Sequence, residues 1–141
     1  MTSTPTTILL VDDDSSILVL LHRIFESYFQ DSIAITSCTE PEQAARICSS
    51  RAVDILFTDL DMPGSNGFNL LKQVKAKNVL TQVVILSAQP TRNALQSALA
   101  LGANEYLTKP IDRDELIDTT RYLIGQSKRW RQYISADLAI G

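Results

Sequence analysis

The residues of this chain best suited to chemistry stand at the ends of short apolar runs. Asp12 and Asp13 come directly after ILLV, and Asp59 directly after ILFT with Asp61 two residues on. Ser87 ends QVVILS, and Lys109 follows EYLT. Three carboxylates brought within a few ångströms repel one another and stay partly protonated unless a cation neutralises them. An all-oxygen ligand set favours Mg2+, or Mn2+, over zinc. Mg2+ is ordinarily held by one or two carboxylates with waters and phosphate oxygens, so the set points to phosphoryl transfer rather than a structural ion. The Lys109 ammonium can pair with an incoming phosphate as a point charge.

These groups meet only if the elements carrying them are neighbours. Apolar runs at 8–11, 32–36, 53–58, 82–87 and 105–107 read as strands. Between them, helical spacing of apolar residues predicts helices over 15–29, from Pro41 onward, after Asn66-Gly67, over 91–101 and over 112–126. Helix one should turn Ile17, Leu20, Leu21, Ile24, Phe25 and Tyr28 inward, and helix two Ala44, Ala45, Ile47 and Cys48. Pro41 suits a first helical turn, Gly102 a helix end, and Asp112 an N-cap. Strict alternation of five strands with five helices predicts an α/β fold with a doubly wound parallel sheet, flavodoxin-like, of order 2-1-3-4-5. In such a sheet, groups beyond the carboxyl ends of neighbouring strands share one crevice.

Composition narrows the function classes. The 141 residues are 45% hydrophobic and 21% charged with net charge −3, which gives no reason to expect nucleic-acid binding by this domain. No run approaches the ~18 apolar residues of a membrane span. Residues 1–7 are polar and read as a flexible leader without signal-peptide character. Cys38 and Cys48 lack redox or zinc spacing and read as small buried hydrophobes of a cytoplasmic protein.

Four segments, ILLVDDD (8–14), DILFTDLDMPGSNGFNLL (54–71), VVILSA (83–88) and GANEYLTKPID (102–112), resemble the receiver domain of bacterial response regulators. They occur in family order, and the resemblance covers residues 6–126, leaving 127–141 as a helical extension or linker. It implies that Asp59 accepts a phosphoryl group from a histidine kinase or phosphotransfer protein. Asp13 and Asp59 would ligate Mg2+ directly, Asp12 through water, and Asp61 through its backbone carbonyl. Ser87 would be the hydroxyl switch, Lys109 the phosphate contact, Tyr106 the aromatic whose rotamer follows activation, and Lys109–Pro110 a cis bond. Signalling, rather than turnover of a substrate, would be the output. An output domain C-terminal to residue 141 and a homodimer through helix four, strand five and helix five are the partners this implies. Asn66 and Ser65 depart from the family's usual Asp and hydrophobe, but Asn-Gly still suits a turn. Asp61 stands where side chains face the hydrolytic water.

Other readings of the same residues are weaker. Asp59-Leu60-Asp61 resembles the acidic pair of haloacid dehalogenase phosphohydrolases, yet that family puts the pair on its first strand and needs a further acidic pair after the lysine. A flavodoxin-like mononucleotide binder needs a hydroxyl- and glycine-rich loop after strand one, where VDDDSS has three carboxylates. A receiver that binds partners without phosphorylation is the remaining alternative. His22 reads as an exposed or rim residue rather than a phosphorelay histidine. From Asn93 to Asn104 no residue is charged, so helix four should leave some of Ala94, Ala98, Leu99 and Leu101 exposed as a contact surface.

Overall fold

The computed structural model describes residues 4–62 and 65–140. In chain order it contains β1 (Thr6–Val11), α1 (Ser15–Phe29), β2 (Ile33–Cys38), α2 (Pro41–Ser50) and β3 (Ile55–Asp59). There follow α3 (Gly67–Lys77), β4 (Gln82–Ser87), α4 (Arg92–Ala100), β5 (Glu105–Thr108) and α5 (Arg113–Ile140). The five strands pair in parallel in the order β2-β1-β3-β4-β5, as the alternation predicts. A two-residue ladder, Asp61–Met62 against Ser65–Asn66, lies between β3 and α3.

Side chains of a strand alternate between faces, and here both faces are covered. Ile8 and Leu10 of β1, Ile55 and Phe57 of β3, and Val84 and Leu86 of β4 pack with α1 and α5. Leu9, Val11, Leu56, Val83 and Ile85 pack the opposite way, against α2, α3 and α4. Phe25 of α1 meets Phe57 with ring centroids 5.2 Å apart. The core is therefore two layers divided by the sheet, and the strand ends are the places left for polar groups.

Short polar side chains start the helices. Asp14 accepts from the Ser16 N–H, Thr91 from Ala94, and Asp112 from Glu115. Pro41 opens α2, and Gly102, at φ +99°, follows the end of α4.

Several boundaries differ from the sequence reading. Thr6 and Thr7 belong to β1, paired with Ile33 and Ala34, so the leader expected through residue 7 is shorter; Met1, Thr2 and Ser3 lie outside the described residues. Within α1, Leu18 is buried while Leu20 and Tyr28 are each 43% exposed; Tyr28 instead offers its ring to Arg121, 5.6 Å away. Helix α5 runs past the expected 112–126 to Ile140, which is the helical one of the two readings of 127–141. On α4, Ala98 is fully buried, whereas Leu95 and Leu99 are exposed.

Candidate functional site

The carboxyl ends of β1, β3, β4 and β5 gather the chemistry-bearing residues. Asp12 and Asp13 follow Val11, Asp59 is the last residue of β3, Ser87 is the last of β4, and Lys109 follows Thr108 of β5. Carboxylate oxygens of Asp12, Asp13 and Asp59 lie within 4.8 Å of one another. Asp12 and Asp59 are buried, while Asp13 is exposed. Lys109 Nζ is 2.8 Å from Asp12 Oδ2 and 3.4 Å from Asp59 Oδ1.

Each carboxylate is held in place. Asp12 Oδ1 accepts the Asp14 N–H at 2.9 Å, and Asp59 Oδ1 accepts the Asp61 N–H at 3.3 Å. Burial, and next the charge of Asp12, push the Asp59 carboxyl above its ordinary value; Lys109 and the Asp61 N–H offset part of this. Burial opposes the Lys109 ammonium, but its bonds to Asp12 and Asp59 prevail and hold its pKa above the ordinary one. Three carboxylates against one ammonium leave a hard, all-oxygen donor set short of positive charge. That set fits a divalent cation of the Mg2+ type.

The remaining expected residues stand around this cluster. Ser87 is fully buried, and its Oγ accepts the Gln89 N–H at 3.2 Å. The Ser87 carbonyl takes the Lys109 N–H at 2.8 Å, so the β5 end is fixed to the β4 end. Lys109–Pro110 is cis. Tyr106 packs half-buried on the α4 side, and its hydroxyl is enclosed without a hydrogen-bond partner among the described residues. The Asp61 side chain is exposed. His22 is outside this crevice, partly exposed on α1, with the Glu26 carboxylate 3.1 Å away. Cys38 and Cys48 are free; burial pushes the Cys48 thiol up to about 11.

One residue of the site was read only as a turn former. A Cβ on Gly67 would lie 2.6 Å from the Asp59 carbonyl oxygen and 3.0 Å from Leu60 Cα. The Gly67 N–H donates to the Leu60 carbonyl at 2.8 Å, which holds α3 against the end of β3. Its φ is not positive, so this glycine is required for space and not for conformation. Gly67→Ala is expected to cost about 1–3 kcal/mol in urea unfolding, because the obstruction is backbone and cannot swing aside. The same shift lands on Asp59, so labelling by a small phosphodonor should slow as well. Unchanged stability together with an unchanged labelling rate would show that the contact relaxes freely.

Comparison with known proteins decides the family. Residues 8–121 match the family model described as the response regulator receiver domain. The chain belongs to that family.

The receiver domain is 35% identical over 125 residues to the DNA-binding transcriptional regulator NtrC of Escherichia coli, covering 86% of this chain and 25% of that protein. It is 30% identical over 125 residues to the transcriptional regulatory protein CiaR of Streptococcus pneumoniae, covering 89% and 54%. The chain thus spans only part of the length of these relatives. Among solved structures, the signal receiver domain of an HD domain-containing protein from Pseudomonas fluorescens superposes with TM-score 0.84 at 24% identity, over 94% of this chain and 96% of that one. A CheY-like receiver domain protein from Methanospirillum hungatei gives TM-score 0.82 at 17% identity, over 89% and 98%. At these identities the two structures establish the fold of the receiver domain. No helix among its described residues is long and apolar enough to cross a membrane.

Proposed function

We propose that this receiver domain takes a phosphoryl group from a histidine kinase or phosphotransfer protein onto Asp59. The observation that carries the reading is the convergence of Asp12, Asp13 and Asp59 with Lys109 at the carboxyl ends of adjacent strands. Asp13, Asp59 and the Asp61 carbonyl would hold Mg2+ (or Mn2+), with Asp12 acting through bound water; when bound, the ion neutralises carboxylate and phosphoryl charge. An Asp59 carboxylate oxygen bonds to phosphorus as the donor's phosphorus–nitrogen bond breaks, and the donor leaves as neutral imidazole, which keeps the proton already on its other ring nitrogen. Lys109, already 3.4 Å from Asp59 Oδ1, pairs with phosphoryl oxygens as their charge spreads.

The acyl phosphate carries about −1.5 to −2 charges where the carboxylate carried one, and places them beside the buried Ser87. Ser87 moves toward that charge, Tyr106 fills the space it leaves, and the face of α4, β5 and α5 shifts its population. Exposed Leu95, Leu99 and Tyr122 lie on the two helices of that face and suit a dimer mate or an output domain in a longer parent chain. With net charge −3 the receiver itself is assigned no nucleic-acid contact, and its free thiols suit the cytoplasm.

Intact-mass measurement with acetyl phosphate should show one phosphoryl group added with Mg2+ present and none in EDTA. With beryllofluoride, a phosphoryl mimic, the chain should sediment as a dimer. Labelling in EDTA would remove the metal from the reading, and a monomer with the mimic would leave a heterologous partner for the switched face.

A further inference from the structure

At the end of the sheet opposite the acidic crevice, polar side chains tie α5 to the strands. Gln82 opens β4, is 1% exposed, and donates from Nε2 to the Leu123 carbonyl at 2.6 Å and to Ser127 Oγ at 2.9 Å. One turn further, Arg131 Nη2 donates to Thr6 Oγ1 at 3.2 Å and stands 3.8 Å from Asp54 Oδ2. Asp54, just ahead of β3, is itself fixed: its Oδ2 accepts from the Thr7 N–H at 2.9 Å and the Thr7 hydroxyl at 3.1 Å. Helix α5 is thus held at the starts of β1, β3 and β4 together.

Apolar packing does not explain why α5 keeps going. Among its described side chains the last buried apolar residue is Ile124; beyond it only Ser127 is buried, and Gln126, Trp130 and Arg131 are half-buried. A helical segment of this length without packing is marginal in water, where about 12–15 residues are needed even for favourable sequences. Gly125 adds backbone freedom just where the apolar contacts end, with open space around its Cβ position.

We propose that Gln82, Ser127, Arg131, Asp54 and Thr6 form a polar clamp that decides whether the second half of α5 is helical. Closed, the clamp makes that half a rigid strut leaving the domain in a fixed direction, with Tyr133 and Ile134 presented outward. Released, the strut frays from Gly125 onward while the sheet and both cores remain. Gln82 and Ser87 are the two ends of β4, so one strand carries both the clamp and the switch hydroxyl. The clamp does not depend on phosphorylation of Asp59.

Hydrogen–deuterium exchange on the full chain tests this, with Arg131→Ala and Gln82→Leu compared with the wild type. Amides of residues 128–135 should be protected in the wild type and exchange about tenfold faster in either variant, the scale of losing one net hydrogen bond. Amides of residues 8–11 and 55–59 should keep their rates. Arg131 lies at the surface edge, so its variant carries the test if Gln82→Leu fails to fold. Wild-type tail amides exchanging at unstructured rates, a tail indifferent to Arg131→Ala, or acceleration spread equally through the strands would each overturn the clamp.

Discussion

Asp59→Asn is expected to take up no phosphoryl group and yet to melt higher than the wild type in metal-free buffer at neutral pH. The loss follows from chemistry, since an amide offers no carboxylate oxygen to phosphorus. The gain follows from the crevice, where Asp59 is buried beside Asp12 and both share one ammonium. Burial and Asp12 raise the Asp59 pKa above 3.8, so between that value and the raised one the folded chain binds more protons than the unfolded chain. Stability therefore falls as pH rises through this window, and the deficit is complete above it. The asparagine variant escapes the deficit: its advantage is full at pH 7, shrinks as pH falls through the window, and vanishes below 3.8. A rise of a few degrees in Tm is the scale that about 1 kcal/mol produces in a domain of this size. Saturating Mg2+ should erase or reverse the difference, since at a hundred times the wild type's Kd it stabilises the wild type by about 2.7 kcal/mol and the variant, short of one carboxylate, by less. A variant less stable at pH 7, or one still labelled, would contradict the role given to Asp59.

Lys109→Ala is expected to separate phosphoryl transfer from metal binding. The ammonium opposes a second cation in the crevice but supports the transferring charge. Its removal should therefore leave Mg2+ affinity unchanged or higher while labelling by acetyl phosphate slows about 100- to 1,000-fold, the usual cost of losing one preorganised charge-stabilising group. Metal-free stability should fall, because buried Asp12 loses its partner at 2.8 Å. Calorimetric titration of Mg2+ beside a labelling time course reads both effects. Abolished Mg2+ binding with an intact fold would mean that Lys109 orders the carboxylates rather than serving the phosphoryl group.

Much of this arrangement was legible because it depends on local patterns. Runs such as ILLV and QVVILS announce strands buried on both faces, and the acidic, hydroxyl and ammonium groups at their ends are in plain sequence view. What was hidden depends on contacts between distant residues. Gly67 looks like any turn glycine until its place is seen, where a Cβ would fall 2.6 Å from the Asp59 carbonyl oxygen. The α5 extension carries little apolar signal because Gln82 and Arg131 hold it through bonds spanning 41 to 125 residues. Leu18 and Leu20 both lie near the edge of the helix-one stripe, and periodicity alone does not say which edge the sheet covers. The Tyr106 hydroxyl, without a partner among the described residues, is likewise a property of enclosure and not of any motif.

The crevice draws on four separate chain segments, ending with Lys109 beyond the last strand of the sheet. No fragment that stops short of Lys109 contains it whole. During synthesis, the carboxylates of Asp12 and Asp59 emerge long before the ammonium that pairs with them, and parallel pairings between such distant segments form late. A nascent, truncated or misfolded chain therefore offers only scattered, hydrated carboxylates, which are poor targets for a phosphodonor. On the function proposed above, an acyl phosphate on Asp59 would be a certificate of completed folding, withheld from an unfinished copy of the chain.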